Sequence, residues 1–131
     1  MSSEPAKTRP SVLLIDDERP YLDMLRAGLG KEFEIEVAQN TEEGEMRLAV
    51  GAFDAVVCDH LMPGEKGLDF LIRASQLHPN TRRILITGYI NPELLSRSTG
   101  VAKLARCIIK PVGIAELARA LREVLAAPAP K

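Results

Sequence analysis

The sequence predicts an α/β fold, a five-stranded parallel sheet with helices on both faces. Three observations predict it. The runs Val12-Leu13-Leu14-Ile15 and Ala55-Val56-Val57-Cys58 are apolar without alternation, which suits strands buried on both faces. Such runs take turns with segments of helical periodicity, the pattern of a sheet built from strand–helix–strand crossovers. Several runs end on a polar group followed by turn-forming residues, and open α/β sheets place their ligands at the carboxyl ends of strands.

Residues 1–10 are polar with two prolines and are expected to form a flexible tail. The first strand, Val12 to Ile15, ends on Asp16-Asp17-Glu18. Pro20 suits the first turn of a helix, and Tyr21, Leu22, Leu25 and Leu29 follow at helical spacing, with Gly28 or Gly30 near its end. Glu34-Ile35-Glu36-Val37-Ala38 alternates, so this strand is expected at a sheet edge. Asn40 or Thr41 caps the second helix, with Glu42 and Glu43 in its first turn. Phe53-Asp54 leads into the central strand, which ends on Asp59 before Met62-Pro63-Gly64. The third helix is expected over Gly67 to His78, with Leu68, Leu71, Ile72 and Ser75 on one side, and Pro79-Asn80 closes it. Arg83 to Thr87 is the fourth strand, and Asn91-Pro92-Glu93 opens a short fourth helix that Gly100 ends. Cys107-Ile108-Ile109 is the fifth strand and ends on Lys110-Pro111. A fifth helix runs from about Gly113 to Leu125 on Ile114, Leu117, Leu121, Val124 and Leu125. The domain is thus expected over residues 11–126, with 127–131 a flexible tail or the start of a linker.

Composition narrows the function classes. A chain of 131 residues is large enough for one core, and without Trp that core must be aliphatic. The net charge of −1, with acids and bases interspersed, gives no basic footprint for nucleic acid and no polybasic membrane patch. No apolar run approaches a bilayer span and no signal-peptide core is present, so the expectation is a cytoplasmic protein. Cys58 and Cys107 each lie in an apolar run without the Cys or His neighbours of a metal site, so both are expected in the core.

Right-handed crossovers bring all strand carboxyl ends to one rim. Asp16, Asp17, Asp59, Thr87 and Lys110 therefore converge. Three adjacent carboxylates repel one another, and a hard divalent cation such as Mg²⁺ relieves the repulsion. A metal, an ammonium and a hydroxyl around one carboxylate make a site for a phosphoryl group. Asp59 is the central member and the candidate nucleophile, with an aspartyl phosphate as the expected intermediate. His60 would point away from Asp59 if the strand persisted, and His78 stands at a helix end, so neither is assigned chemistry.

The motifs Leu14-Ile15-Asp16-Asp17-Glu18, Asp59-His60-Leu61-Met62-Pro63-Gly64, Ile86-Thr87-Gly88 and Lys110-Pro111 resemble the receiver domain of two-component response regulators, at that family's spacing, between Ser11 and Leu125. The resemblance implies the strand order 2-1-3-4-5. It makes Asp59 the phosphoacceptor, Asp17 the direct Mg²⁺ ligand, and Asp16 an acid acting largely through metal-bound water. It adds the backbone carbonyl of Leu61 as a further ligand, with Mn²⁺ as a substitute ion. Thr87 becomes the switch hydroxyl, Lys110 the partner of Asp59 and then of the phosphoryl group, and the Lys110–Pro111 bond is expected to be cis. The implied partners are a histidine kinase or phosphotransfer protein, a downstream protein or output domain on the face of helix 4, strand 5 and helix 5, and a second copy after phosphorylation. The implied strand order also separates Cys58 from Cys107 by one strand, roughly 10 Å, too far for a disulfide.

Cys107 departs from the family pattern, which carries Tyr or Phe there as a ring that relays the hydroxyl's movement. Leu61 and Tyr89 are bulky at two positions flanking the pocket, and they are expected to hinder the attacking water. A flavodoxin-like cofactor site is excluded because Asp16-Asp17-Glu18-Arg19 lacks a phosphate-cradling loop. A haloacid-dehalogenase-like phosphatase spaces its first two aspartates one residue apart, whereas Asp16 and Asp17 are adjacent. The remaining alternative is a receiver fold that docks a partner without phosphorylation. Cys107 favours that alternative, and the complete acidic and lysine set opposes it.

Overall fold

A computed structural model describes residues 9–89 and 91–127. Five strands alternate with five helices: β1 (Ser11–Ile15), α1 (Arg19–Leu29), β2 (Glu34–Ala38), α2 (Thr41–Val50), β3 (Ala55–Asp59), α3 (Gly67–Leu77), β4 (Arg82–Thr87), α4 (Pro92–Gly100), β5 (Arg106–Ile109) and α5 (Ile114–Ala126). All pairings are parallel and the sheet order is β2-β1-β3-β4-β5. The fold class and strand order therefore stand as expected. The segments expected as flexible tails lie outside the described residues at 1–8 and 128–131. Arg9 and Pro10 are tied down: the Arg9 side chain donates to the Gly30 carbonyl, and the Pro10 carbonyl accepts from Glu34 N at 2.8 Å.

Strand periodicity divides the interior into two layers. Val12 and Leu14 of β1, with Val57, Ile84 and Ile86, pack against Leu22, Leu25 and Leu29 of α1 and Leu117, Leu121 and Val124 of α5. Leu13 and Ile15 point the other way and meet Leu48 of α2, Leu68, Phe70 and Leu71 of α3 and Leu94 of α4. Side chains in β3 are buried throughout, whereas β2 alternates as exposed, buried, exposed, buried, buried. The central and edge assignments follow directly from those two patterns. The helix starts also obey local chemistry. Asn40 accepts from Glu43 N at 2.7 Å and Asn91 accepts from Leu94 N at 2.7 Å, satisfying backbone donors that have no partner within the helix.

Two features differ from the sequence expectation. The buried side of α3 runs through Leu68, Phe70, Leu71 and Ala74, and Ser75 instead donates its hydroxyl to the Ile72 carbonyl at 2.6 Å. The helix is rotated toward Phe70, whose ring fills space beside Gly44 of α2. The second feature is Arg83, 2% exposed on β4. Its guanidinium donates to the carbonyls of Ala102, Thr81 and Lys103 at 3.0, 2.7 and 3.2 Å. Carbonyl dipoles in place of a carboxylate satisfy this buried cation and fasten the α4–β5 loop, where Lys103 has φ 50°.

The start of α3 is pressed against the end of β3. A Cβ on Gly67 would lie 2.1 Å from the Asp59 carbonyl oxygen and 2.9 Å from His60 Cα. Backbone cannot yield as a side-chain tip can, so only glycine fits there. Gly67→Ala is expected to lower stability by about 1–3 kcal/mol, measured by urea denaturation. Gly100→Ala, where a Cβ meets nothing within 4 Å, is expected to change stability by less than about 0.5 kcal/mol.

Candidate functional site

Backbone pairing builds the site before any side chain is considered. Ile15 of β1 is in register with Cys58 of β3, so Asp16 and Asp59, each one residue further on, emerge side by side. Asp59 is in register with Ile86 of β4, and Thr87 with Ile109 of β5. Thr87 and Lys110 thus reach the same rim, and the Lys110 backbone N–H donates to the Thr87 carbonyl at 2.8 Å. The Lys110–Pro111 peptide is cis.

Asp16, Asp17 and Asp59 each offer a carboxylate oxygen, and these oxygens lie within 4.8 Å of one another. Asp16 and Asp59 are both 4% exposed, while Asp17 faces solvent. The Glu18 backbone N–H donates to Asp16 Oδ1 at 2.9 Å. Lys110 Nζ lies 3.2 Å from Asp59 Oδ1, 3.6 Å from Asp16 Oδ2 and 4.0 Å from Glu18 Oε1. Thr87 is 1% exposed, and its hydroxyl donates to the Tyr89 carbonyl at 3.0 Å. Leu61 and Tyr89, each two residues beyond a member of the cluster, are 49% and 61% exposed.

One ammonium does not neutralise three carboxylates, and burial raises the cost of leaving them charged. Burial lifts the Asp16 carboxyl above its ordinary range, against the pull of the Glu18 N–H. Burial likewise lifts Asp59, with Lys110 opposing it. Burial alone would lower the Lys110 ammonium, but Asp16, Asp59 and Glu18 together raise it, so it stays a cation. The donor set is all oxygen, carboxylate-rich and open to water on the Asp17 side. Those properties suit a hard divalent cation that retains several waters. The sequence placed all five of Asp16, Asp17, Asp59, Thr87 and Lys110 at this rim, and the structure brings them there.

Other residues behave differently from expectation or were not foreseen. The strand does not persist past Asp59, and His60 Nδ1 accepts from Leu68 N at 3.3 Å. That bond uses the imidazole to hold the first turn of α3. Glu18 reaches Lys110 across the acidic turn. Tyr21 falls in the apolar stripe of α1 by spacing, yet its ring lies 5.8 Å from Lys110 Nζ and its hydroxyl donates to the Val112 carbonyl at 2.9 Å. The polar end of a tyrosine in an otherwise aliphatic stripe is the one signal that marked it. Cys107 is half-buried and in register with Leu85, and Cys58, fully buried, is in register with the same residue from the other side of β4. One strand separates the two thiols, and both are free.

A parallel sheet with an acidic triad and a lysine at one rim defines a receiver-like signalling domain. The chain belongs to the response regulator receiver domain family, whose model matches residues 12–122. It is 30% identical over 115 residues to the hydrogenase transcriptional regulatory protein HoxA of Bradyrhizobium diazoefficiens, covering 88% of this chain and 24% of that protein. It is also 30% identical over 136 residues to the virulence sensor protein BvgS of Bordetella pertussis, covering 95% of this chain and 11% of that protein. The chain therefore spans about a quarter or less of the length of these two relatives. Among solved structures, a CheY-like response regulator receiver domain protein from Methanospirillum hungatei superposes with a TM-score of 0.85 at 28% identity, over 91% of this chain and 95% of that one. No helix among the described residues is long and apolar enough to cross a membrane.

The raised carboxyls fix the sign of a pH effect. The folded state holds protons on Asp16 and Asp59 more tightly than the unfolded chain does. Their contribution is therefore favourable at acid pH and is lost as pH rises through their folded-state values. In metal-free solution at pH 7.5, Asp59→Asn is expected to raise the urea midpoint. The gain should shrink as pH falls toward the ordinary carboxylate range, and a pH series of urea melts on both proteins checks it.

Proposed function

We propose that this receiver domain accepts a phosphoryl group on Asp59 from a histidine kinase or phosphotransfer protein, in a Mg²⁺-dependent reaction. The observation that carries the proposal is the placement of Lys110 Nζ at 3.2 Å from Asp59 Oδ1, beside the clustered oxygens of Asp16 and Asp17. A carboxylate oxygen of Asp59 attacks the donor's phosphorus in line. The new O–P bond forms as the bond from phosphorus to the donor's imidazole nitrogen breaks, and that nitrogen keeps the electron pair. Lys110 moves from neutralising Asp59 to neutralising an equatorial phosphoryl oxygen. Asp16, Asp17, Asp59 and the Leu61 carbonyl would hold Mg²⁺, which supplies positive charge to the transferring group.

Thr87 provides the response. In the unphosphorylated arrangement its hydroxyl is engaged by the Tyr89 carbonyl, and a phosphoryl oxygen is a stronger, charged acceptor. Moving to it draws the loop after β4 inward and biases the face of α4, β5 and α5, where a downstream protein, an output domain or a second copy would dock. Cys107 has no ring to follow Thr87, so the signal passes through the loop and α4. Leu61 and Tyr89 flank the mouth and obstruct the water that hydrolyses the acyl phosphate. Residues 11–126 act as the receiver unit, in the cytoplasm.

Intact mass after incubation with acetyl phosphate and Mg²⁺ is expected to show one added phosphoryl group on wild type and none on Asp59→Asn. Lys110→Ala is expected to slow uptake by about 10²–10³-fold, the cost of one preorganised donor. Mg²⁺ at a hundred times its Kd is expected to stabilise wild type by about 2.7 kcal/mol and Asp59→Asn by less, read by thermal melting. Leu61→Asn and Tyr89→Ala are each expected to shorten the phosphoryl lifetime. Unchanged dephosphorylation in both would remove them from that role.

A further inference from the structure

We infer that Tyr21 is a positioning residue for Lys110, an inference that rests on the phosphoacceptor reading of Asp59. A lysine is a poor fixed electrophile. Its four-carbon stem has up to about 2 kcal/mol of rotamer entropy to lose. Here two further anions compete for it, Asp16 at 3.6 Å and Glu18 at 4.0 Å. Something must bias the ammonium toward Asp59.

Tyr21 is the residue placed to do so. It lies in the first turn of α1, and its side chain is half-buried against the core layer formed by α1, α5 and the sheet. Its ring lies under the ammonium, 5.8 Å from Nζ to centroid, within the range of cation–π attraction. Its hydroxyl crosses to the β5–α5 loop and donates to the Val112 carbonyl at 2.9 Å. One side chain therefore holds both the head of Lys110 and the backbone two residues beyond it. Burial keeps the phenol protonated, so it remains a donor. The anchor itself cannot drift. Leu22, Leu25 and Leu29 are buried, and Gly28 lets α1 lie directly on the Ile114 side chain at the start of α5.

The hydroxyl and the ring make separable contributions. Tyr21→Phe retains the ring and loses the bond to Val112. Tyr21→Leu retains apolar packing and loses both. Tyr21→Leu is expected to slow phosphoryl uptake from acetyl phosphate by about three- to tenfold, the equivalent of a partly desolvated cation–π contact. Tyr21→Phe is expected to slow it by about two- to threefold. A role that is only structural would slow any background equally. In Lys110→Ala, both substitutions are expected to leave the residual rate unchanged.

A second readout needs no phosphorylation. The Lys110 ε-methylene protons, observed by NMR with ¹³C-labelled lysine, are expected upfield of the other lysines in wild type and Tyr21→Phe, and shifted downfield in Tyr21→Leu. If wild type takes up no phosphoryl group, the phosphoacceptor reading fails, and the NMR shift still decides whether the ring holds Lys110. Should Tyr21→Leu not fold, Tyr21→Phe in both backgrounds decides the matter. Equal slowing in the presence and absence of Lys110, or an unshifted ε-methylene in wild type, overturns the inference.

Discussion

Electrostatic repulsion among Asp16, Asp17 and Asp59 is the constraint on which the rest of this structure depends. Their oxygens share a space less than 5 Å across because strand pairing leaves them nowhere else to go. The core that imposes that pairing is aliphatic and fully buried in β1 and β3, so hydrophobic burial sustains the charge cluster. Lys110 relieves part of the repulsion, and Glu18 N–H relieves another part. The remainder is a standing affinity for positive charge, and the site's proposed chemistry draws on it.

Rigidity is unevenly distributed around that cluster. Gly67 locks the backbone of α3 beneath Asp59, and His60 secures the first turn of the same helix. Arg83 fixes the α4–β5 loop through the carbonyls of Ala102 and Lys103 and ties it to Thr81 before β4. Between these anchors, the Thr87 hydroxyl donates to the Tyr89 carbonyl of its own loop. On the proposed function, a phosphoryl oxygen on Asp59 competes for that bond. On that same proposal, the acceptor side of the rim is preorganised and the Thr87 hydroxyl is the group that responds. Cys107 fits this division, since a thiol packed beside Leu85 adds no moving part of its own.

Much of this was legible in the sequence because it follows from one-dimensional patterns. Unbroken apolar runs located β1, β3 and β4, alternation located β2 at an edge, and the residues ending the runs are those that gather at the candidate site. What the sequence left hidden depends on which side chains meet across elements. Helical spacing alone allowed the buried side of α3 to include Ser75 in place of Phe70 and Ala74, because the deciding neighbour, Gly44 on α2, is distant in the chain. Arg83 looked like an ordinary strand start, and only the α4–β5 loop folding over it explains a cation there. Tyr21 matched the apolar stripe of α1, and its hydroxyl's partner lies 91 residues away.

The proposed function rests on Asp59 as the residue that carries the phosphoryl group. Borohydride reduces an aspartyl phosphate to homoserine, so reducing the protein after reaction with acetyl phosphate and Mg²⁺ marks the acceptor covalently. Peptide mapping by mass spectrometry then reads the position. Homoserine at residue 59 alone is the predicted result. Homoserine at another aspartate, or none after a reaction that reaches completion in a control receiver domain, would contradict it.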